Sequence, residues 1–139
     1  MALLKVVVIS LVEQCNLKCW GCDHCAPLAD ESFLAVDEFE KDMKRLAGLA
    51  APYGGVTRIV LLGGEPLLHP DIKKFTEISR KYFPEARIEI FTNGILLIKQ
   101  SDDFWENCRN HKIVIKATKY PLKIDWDAII KKAKSLKNM

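Results

Sequence analysis

Four short apolar runs alternate with four amphipathic segments along the chain, and this alternation limits the fold more than any other feature. The runs KVVVISLV (5–12), RIVLL (58–62), ARIEIFT (86–92) and KIVIKAT (112–118) are rich in β-branched residues and predict buried strands. Apolar residues at helical spacing follow each run. Strands that alternate with helices predict an α/β fold with a parallel sheet, whose functional residues lie at the carboxyl ends of the strands.

Composition argues against several classes of function. The 139 residues are 49% hydrophobic and 28% charged, which suits one globular domain. The formal net charge is +3, and the lysines are scattered rather than gathered in a basic stripe, so no specific nucleic-acid partner is expected. The chain has no apolar run long enough for a membrane span, and the N-terminal run is predicted to be a strand rather than a signal peptide. We therefore expect a cytoplasmic protein without a membrane partner.

Four of the five cysteines lie within eleven residues, directly after the first predicted strand. Cys15, Cys19 and Cys22 form a C-x3-C-x2-C array, and Cys25 follows it. Such crowding favours metal binding over disulfides in a cytosolic protein. One consecutive run suits an iron–sulfur cluster better than structural zinc, which usually takes two separated pairs. Spacing leaves three readings open: a cluster with one free iron, a cluster closed by Cys25, and a zinc-stabilised interaction domain.

Other unusual residues follow the later strands. Gly63-Gly64-Glu65-Pro66 comes after the second strand, Thr92-Asn93-Gly94 after the third, and Lys116 to Lys119 close the fourth. Glycines let the backbone approach a ligand closely, and Glu65 supplies an acceptor for an ammonium group. We expect these segments to meet the cysteine loop at one rim of the sheet. Cys108 fits an apolar helix face and is predicted to be core.

The two motifs together resemble those of radical S-adenosylmethionine (radical SAM) proteins. C-N-L-K-C-W-G-C follows the first strand and L-G-G-E-P the second, and the segments CDHCAPLAD, LLGGEPLLHPDI, FTNGILL and KATKYPLKID extend the resemblance over nearly the whole chain. The resemblance implies a partial (β/α) barrel that uses a 4Fe-4S cluster and S-adenosylmethionine. The implied cluster ligands are Cys15, Cys19 and Cys22. The implied cofactor contacts are Gly63, Gly64, Glu65 and Pro66 to the methionyl amine, and Asn93 and Lys116 to the ribose or carboxylate.

The resemblance also implies an enzymatic reaction. A reductant such as flavodoxin or ferredoxin would supply one electron, and S-adenosylmethionine would be cleaved to methionine and a 5′-deoxyadenosyl radical. That radical would abstract hydrogen from a peptide or small-molecule substrate, which the sequence does not identify. The alternative is a non-catalytic or truncated iron–sulfur module in which Cys25 is the fourth cluster ligand.

The chain departs from the family pattern in two places. The family usually has an aromatic residue before the third cysteine, near the adenine, but here that position is Gly21 and the aromatic residue is Trp20. Adenine contacts would therefore come from the backbone at Gly21 or from Trp20. The family core also typically has six strand–helix units, whereas four are predicted here. We therefore expect residues 1–139 to form a single, incomplete core domain, with an open sheet edge that self-association would cover.

Overall fold

Four parallel strands form one sheet in the order β1-β2-β3-β4 in the computed structural model, which describes residues 4–135. The strands are Leu4–Ser10 (β1), Val56–Leu62 (β2), Arg87–Thr92 (β3) and Ile113–Ala117 (β4). The predicted parallel sheet is thus confirmed, and the predicted strand ends differ from those observed by at most two residues. The prediction that residues 1–139 form one incomplete domain stays a prediction.

A helix follows each strand. The helices are Val36–Ala50 (α1), Ile72–Tyr82 (α2), Asp102–Asn110 (α3) and Trp126–Ser135 (α4). Asp37 and Glu38 lie in the first turn of α1, where negative charge suits the helix dipole. Ser101 caps α3, because its hydroxyl accepts a hydrogen bond from the backbone N–H of Phe104. Leu136, predicted to lie on the apolar side of α4, is outside the described residues.

The helices and one face of the sheet form the hydrophobic core. Four apolar residues of β2 and β3 have exposed fractions of 0%: Ile59, Leu61, Ile88 and Ile90. Phe39 of α1 meets Phe75 of α2 edge to face, with ring centroids 4.8 Å apart. Burial of this apolar surface holds the helices on the sheet.

The opposite face of the sheet, here called the open face, carries different residues. Side chains alternate along a strand, and the register pairs Arg58 with Arg87 and Phe91 with Lys116. The open face therefore carries the charged residues Arg58, Arg87, Glu89 and Lys116 among apolar ones, which include Val6, Val8, Val60, Leu62, Phe91 and Val114. Val6 is 45% exposed and Val8 is 58% exposed. The two faces thus differ in that the open face combines apolar residues with several charged ones.

The cysteine loop, residues 13–32, leaves the carboxyl end of β1 and is closed at its base. Val12 and Phe33 form an antiparallel bridge, and the backbone N–H of Glu13 donates to the carbonyl oxygen of Ser32 (2.9 Å). These contacts hold both ends of the loop together at the rim of the sheet.

Candidate functional site

A pocket of about 410 Å³ lies at the rim, and the segments that follow all four strands line it, together with the last residues of β2 and β3. The expectation that the segments after the strands meet there is confirmed for the cysteine loop, the two glycines and Asn93. The lining residues that the sequence singled out are Cys15, Cys19, Trp20, Gly21, Cys22, Gly63, Gly64 and Asn93. Ligand sites at the carboxyl ends of parallel strands are the rule in α/β proteins.

The three cysteines of the array are each partly buried. Burial raises the pKa of the Cys15 thiol, while the backbone N–H of Leu17 offsets part of this effect by donating to its sulfur (3.4 Å). Asn93 donates to the same sulfur from its side-chain nitrogen (3.8 Å). Donors around a cysteine sulfur stabilise the thiolate, which is the form that binds metals.

The other two cysteines lie elsewhere. Cys25 is exposed, has a backbone φ of 52°, and is not among the residues that line the pocket. Cys108 is 5% exposed, and burial raises the pKa of its thiol to about 12. The prediction that Cys108 belongs to the core is confirmed.

Gly63 and Gly64 bring the end of β2 against the chain that leads into Cys15. A Cβ atom on Gly63 would lie 2.3 Å from the carbonyl oxygen of Val12, and one on Gly64 would lie 2.3 Å from that of Gln14. The backbone N–H of Gly64 donates to the Val12 oxygen (2.7 Å). Only glycine fits at these two positions, because any side chain would overlap with backbone. The pair therefore fixes the start of the cysteine loop as well as lining the pocket.

Glu65 is fully buried beneath the rim. Its carboxylate accepts hydrogen bonds from the backbone N–H of Leu67 (3.1 Å), the hydroxyl of Thr92 (2.6 Å) and the backbone N–H of Asn93 (2.8 Å). Burial raises the pKa of Glu65, and these three donors lower it in part. Glu65 thus joins the ends of β2 and β3. It does not line the pocket, so its contact with a methionyl amine stays a prediction.

Asn93 connects β3 to the cysteine loop. Its side-chain nitrogen donates to Oδ1 of Asn16 (2.7 Å), and its own Oδ1 accepts from the backbone N–H of Ile95 (3.0 Å). Because the backbone of Asn93 is also held by Glu65, the side chain has a fixed position beside Cys15. Asn93 is therefore well placed to contact a ligand in the pocket.

Three further predicted residues have distinct positions. Gly21 lines the pocket with a φ of 78°, a left-handed conformation that favours glycine. Pro66 is buried at the start of a short 3-10 helix, Pro66–Leu68. Lys116 does not line the pocket, because its ammonium group lies on the open face, 3.1 Å from the carboxylate of Glu89. The predicted cofactor contacts of Pro66 and Lys116 stay predictions.

Sequence reasoning missed several lining residues, of which Tyr120 is the most informative. Burial raises the pKa of the Tyr120 hydroxyl, and negative charge on Cys19 raises it further. Phe91 was also missed, whereas Thr92 and Thr118, which line the pocket too, belong to the segments expected at the rim. The rule that ligands bind at carboxyl strand ends led to residues 116–119 after β4, and one residue more would have found Tyr120.

The donor set of the pocket fits an iron–sulfur cluster. Thiolates are soft ligands, and the three of the array lie on one loop that lines one pocket. Within residues 4–135, no group of three or more His, Cys, Asp or Glu side chains is arranged to hold a single metal ion. The cysteines of a four-iron cluster bind different irons, so they need not converge on one atom.

None of the helices between residues 4 and 135 has both the length and the apolar character that crossing a membrane requires.

Comparison with known proteins identifies the family of this chain and several of its relatives. Residues 9–115 match the model of the Radical SAM superfamily. The GTP 3′,8-cyclase of Chlorobaculum tepidum is 38% identical over 97 residues, which cover 69% of this chain and 28% of that protein. The probable GTP 3′,8-cyclase of Methanocella arvoryzae is 36% identical over 99 residues, covering 71% of this chain and 30% of that protein. The chain thus spans about 30% of the length of these curated relatives.

Solved structures share the fold at lower identity. BtrN in complex with AdoMet and 2-DOIA has a TM-score of 0.68 and 21% identity, and the match covers 93% of this chain and 55% of that one. Native anSMEcpe with bound AdoMet has a TM-score of 0.67 and 18% identity, and the match covers 97% of this chain and 41% of that one. The predicted partial (β/α) barrel architecture is therefore confirmed.

Proposed function

Because the chain belongs to the radical SAM superfamily, we propose that Cys15, Cys19 and Cys22 ligate a 4Fe-4S cluster whose open iron binds S-adenosylmethionine. Proteins of this family use that cluster and that cofactor. One observation supports the proposal most directly. Three partly buried thiols line the same pocket as Gly63, Gly64 and Asn93. Bound together, the cluster and S-adenosylmethionine supply reductive radical chemistry, which removes a hydrogen atom from a substrate.

The residues around the cysteines prepare the site. Gly63 and Gly64 hold the start of the loop against β2, so the position of Cys15 is fixed before any ligand binds. Asn93 and the backbone of Leu17 direct N–H groups at the Cys15 sulfur and so favour its thiolate. Asn93, Gly21 and Gly64 line the pocket, where the amino acid and ribose parts of the cofactor would need polar partners.

Three cysteines, rather than four, are the proposed ligand set. Cys25 is exposed, and its turn is closed by hydrogen bonds from its own N–H to Cys22 and from the N–H of Leu28 to its carbonyl oxygen (3.1 and 2.9 Å). This turn favours the hypothesis that one iron stays open for the cofactor. It speaks against the alternative in which Cys25 is the fourth cluster ligand.

The wider activity is also a proposal. The chain acts as a cytoplasmic enzyme that receives an electron from a reductant such as flavodoxin or ferredoxin. The named relatives are GTP 3′,8-cyclases. This chain covers about 30% of their length, so we do not assign their substrate to it. Self-association over an open sheet edge stays a prediction, which light scattering of the purified chain checks.

Anaerobic reconstitution of the full chain with iron and sulfide tests the proposal. We expect about four irons per chain, visible cluster absorbance, and release of 5′-deoxyadenosine after reduction with S-adenosylmethionine. Cys19→Ala removes a proposed ligand and should abolish both signals, whereas Cys25→Ala is the matched control and should keep them. A Cys19→Ala chain with an intact cluster contradicts the proposal. A Cys25→Ala chain without one favours the four-ligand alternative.

A further inference from the structure

A charged cluster lies on the open face, next to the pocket but separate from the cysteine loop. At its centre is Glu89, whose side chain is 1% exposed. Arg58 donates to one carboxylate oxygen from Nε (2.6 Å) and also from Nη2. Arg87 (2.7 Å) and Lys116 (3.1 Å) bind the other oxygen. Three cations around one carboxylate leave a surplus of two positive charges.

The surplus charge faces outward. The side chains of Arg58, Arg87 and Lys116 are 34%, 58% and 44% exposed, while the carboxylate beneath them is covered. Each cation uses only part of its donors on Glu89, so guanidinium and ammonium N–H groups remain directed away from it. Arg58 and Arg87 are also register partners on neighbouring strands, an arrangement in which like charges destabilise a sheet. A bound anion would relieve this repulsion.

Phe91 connects the cluster to the pocket. Lys116 Nζ lies 5.4 Å and Arg58 Cζ 5.8 Å from the centre of its ring, and Phe91 also lines the pocket that holds the cysteines. Residues on the same face of a strand are about 7 Å apart. A molecule about 10 Å long, lying over Phe91, would therefore reach from the rim to the cations.

We propose that Arg58, Arg87 and Lys116 bind the phosphate or carboxylate group of a small-molecule substrate, which lies over Phe91 with its reacting end at the rim. Arginine suits this task because its planar fork binds both groups through two parallel hydrogen bonds. Glu89 holds the three cations in place, so their side chains lose little conformational entropy when the anion binds. The assignment of this anion as substrate rests on the proposed function, whereas the binding of the anion does not.

Titration calorimetry of the full chain with inorganic pyrophosphate, inorganic phosphate and citrate tests the inference. We expect pyrophosphate or citrate to bind, with an affinity that falls as salt is added. Arg87→Gln and Lys116→Gln should each weaken binding about tenfold, because each removes charge-assisted hydrogen bonds. Lys41→Gln is the control: Lys41 is an exposed lysine of α1, and its loss should leave the affinity unchanged.

Glu89→Gln provides a test in the opposite direction. It raises the surplus from two positive charges to three, so it should tighten anion binding even if it lowers stability. A purely structural ion-pair cluster predicts no such gain. Preference for pyrophosphate over citrate identifies a phosphate site, and the reverse identifies a carboxylate site. Binding that is absent, or equal in R87Q, K116Q and K41Q, overturns the inference.

The same titrations separate this inference from the proposed function. They are run on the chain before and after cluster reconstitution. Anion binding by a chain that never takes up a cluster contradicts the proposed function alone. A chain that loads the cluster and releases 5′-deoxyadenosine but binds no anion contradicts the anion site alone.

Discussion

The rim and the open face each contain a fully buried glutamate, and the two carboxylates are held in opposite ways. Glu65 at the rim accepts three hydrogen bonds from neutral groups, two backbone N–H groups and the hydroxyl of Thr92. Glu89 on the open face accepts its hydrogen bonds from Arg58, Arg87 and Lys116. Burial raises the pKa of Glu65, and its three hydrogen-bond donors lower that pKa only in part. Burial acts in the same direction on Glu89, but its three cations outweigh it and lower the pKa.

The two carboxylates therefore have different roles: Glu65 joins backbone segments at the rim, and Glu89 holds cationic side chains on the open face. The partners of Glu65 belong to the short 3-10 helix after β2 and to the end of β3, so its loss would loosen the backbone at the rim around the cysteine loop. The partners of Glu89 are side chains that also reach solvent, so its loss would redistribute charge on a surface. Neutral donors left without an acceptor stay buried, whereas freed cations can turn towards water. The two sites should therefore respond differently to deletion, salt and pH.

The largest expected effect comes from Glu65→Ala. It leaves three buried donors without an acceptor, and each such loss costs about 1–3 kcal/mol. We expect the free energy of unfolding to fall by about 4 kcal/mol, measured by urea denaturation. Glu38→Ala, an exposed glutamate of α1, is the control and should change stability by less than about 0.5 kcal/mol. A loss at Glu65 below about 1 kcal/mol would show that its hydrogen bonds do not stabilise the rim.

Glu89→Ala should have a smaller effect that depends on salt. Breaking a buried ion pair costs about 3–5 kcal/mol when the remaining charge stays buried, but here the cations are 34–58% exposed at their side chains and can be hydrated. We expect a loss of about 2 kcal/mol at low salt. Because the remaining repulsion between cations is screened, added salt should reduce this loss. The loss in Glu65→Ala should not change with salt, and parallel salt dependence in the two variants would contradict the comparison.

The contrast between the two sites also explains what the sequence could predict. The strands, the helices and the meeting of Asn93 with the cysteines follow from local patterns and from the geometry of parallel sheets. The partners of Glu89 could not be predicted, because they depend on the register of three strands, and hydrophobic periodicity does not set which charged side chains face each other. The three donors to Glu65 depend likewise on where β3 ends. The spacing of Cys25 did not separate it from the other cysteines, whereas its exposed turn does.

The smallest expected effect is a pair of opposite pH dependences. The pKa of Glu65 in the folded chain lies above its ordinary value of 4.5, so its contribution to stability is present below pH 4.5 and is lost as the pH rises through the folded pKa. The pKa of Glu89 lies below 4.5, so its contribution is present above pH 4.5 and is lost as the pH falls through the folded pKa.

Glutamine at either position removes that titration while keeping the shape of the side chain. The unfolding free energy of Glu65→Gln, relative to the unmodified chain, should therefore rise as the pH is raised above 4.5. The deficit of Glu89→Gln should instead shrink as the pH is lowered below 4.5. Urea denaturation of both variants and the unmodified chain on either side of this pH measures the two slopes, and any constant cost of the substitution cancels between pH values. If Glu65→Gln gains nothing as the pH rises, the neutral donors fully offset the burial of the Glu65 carboxylate, and the proposed difference between rim and open face fails.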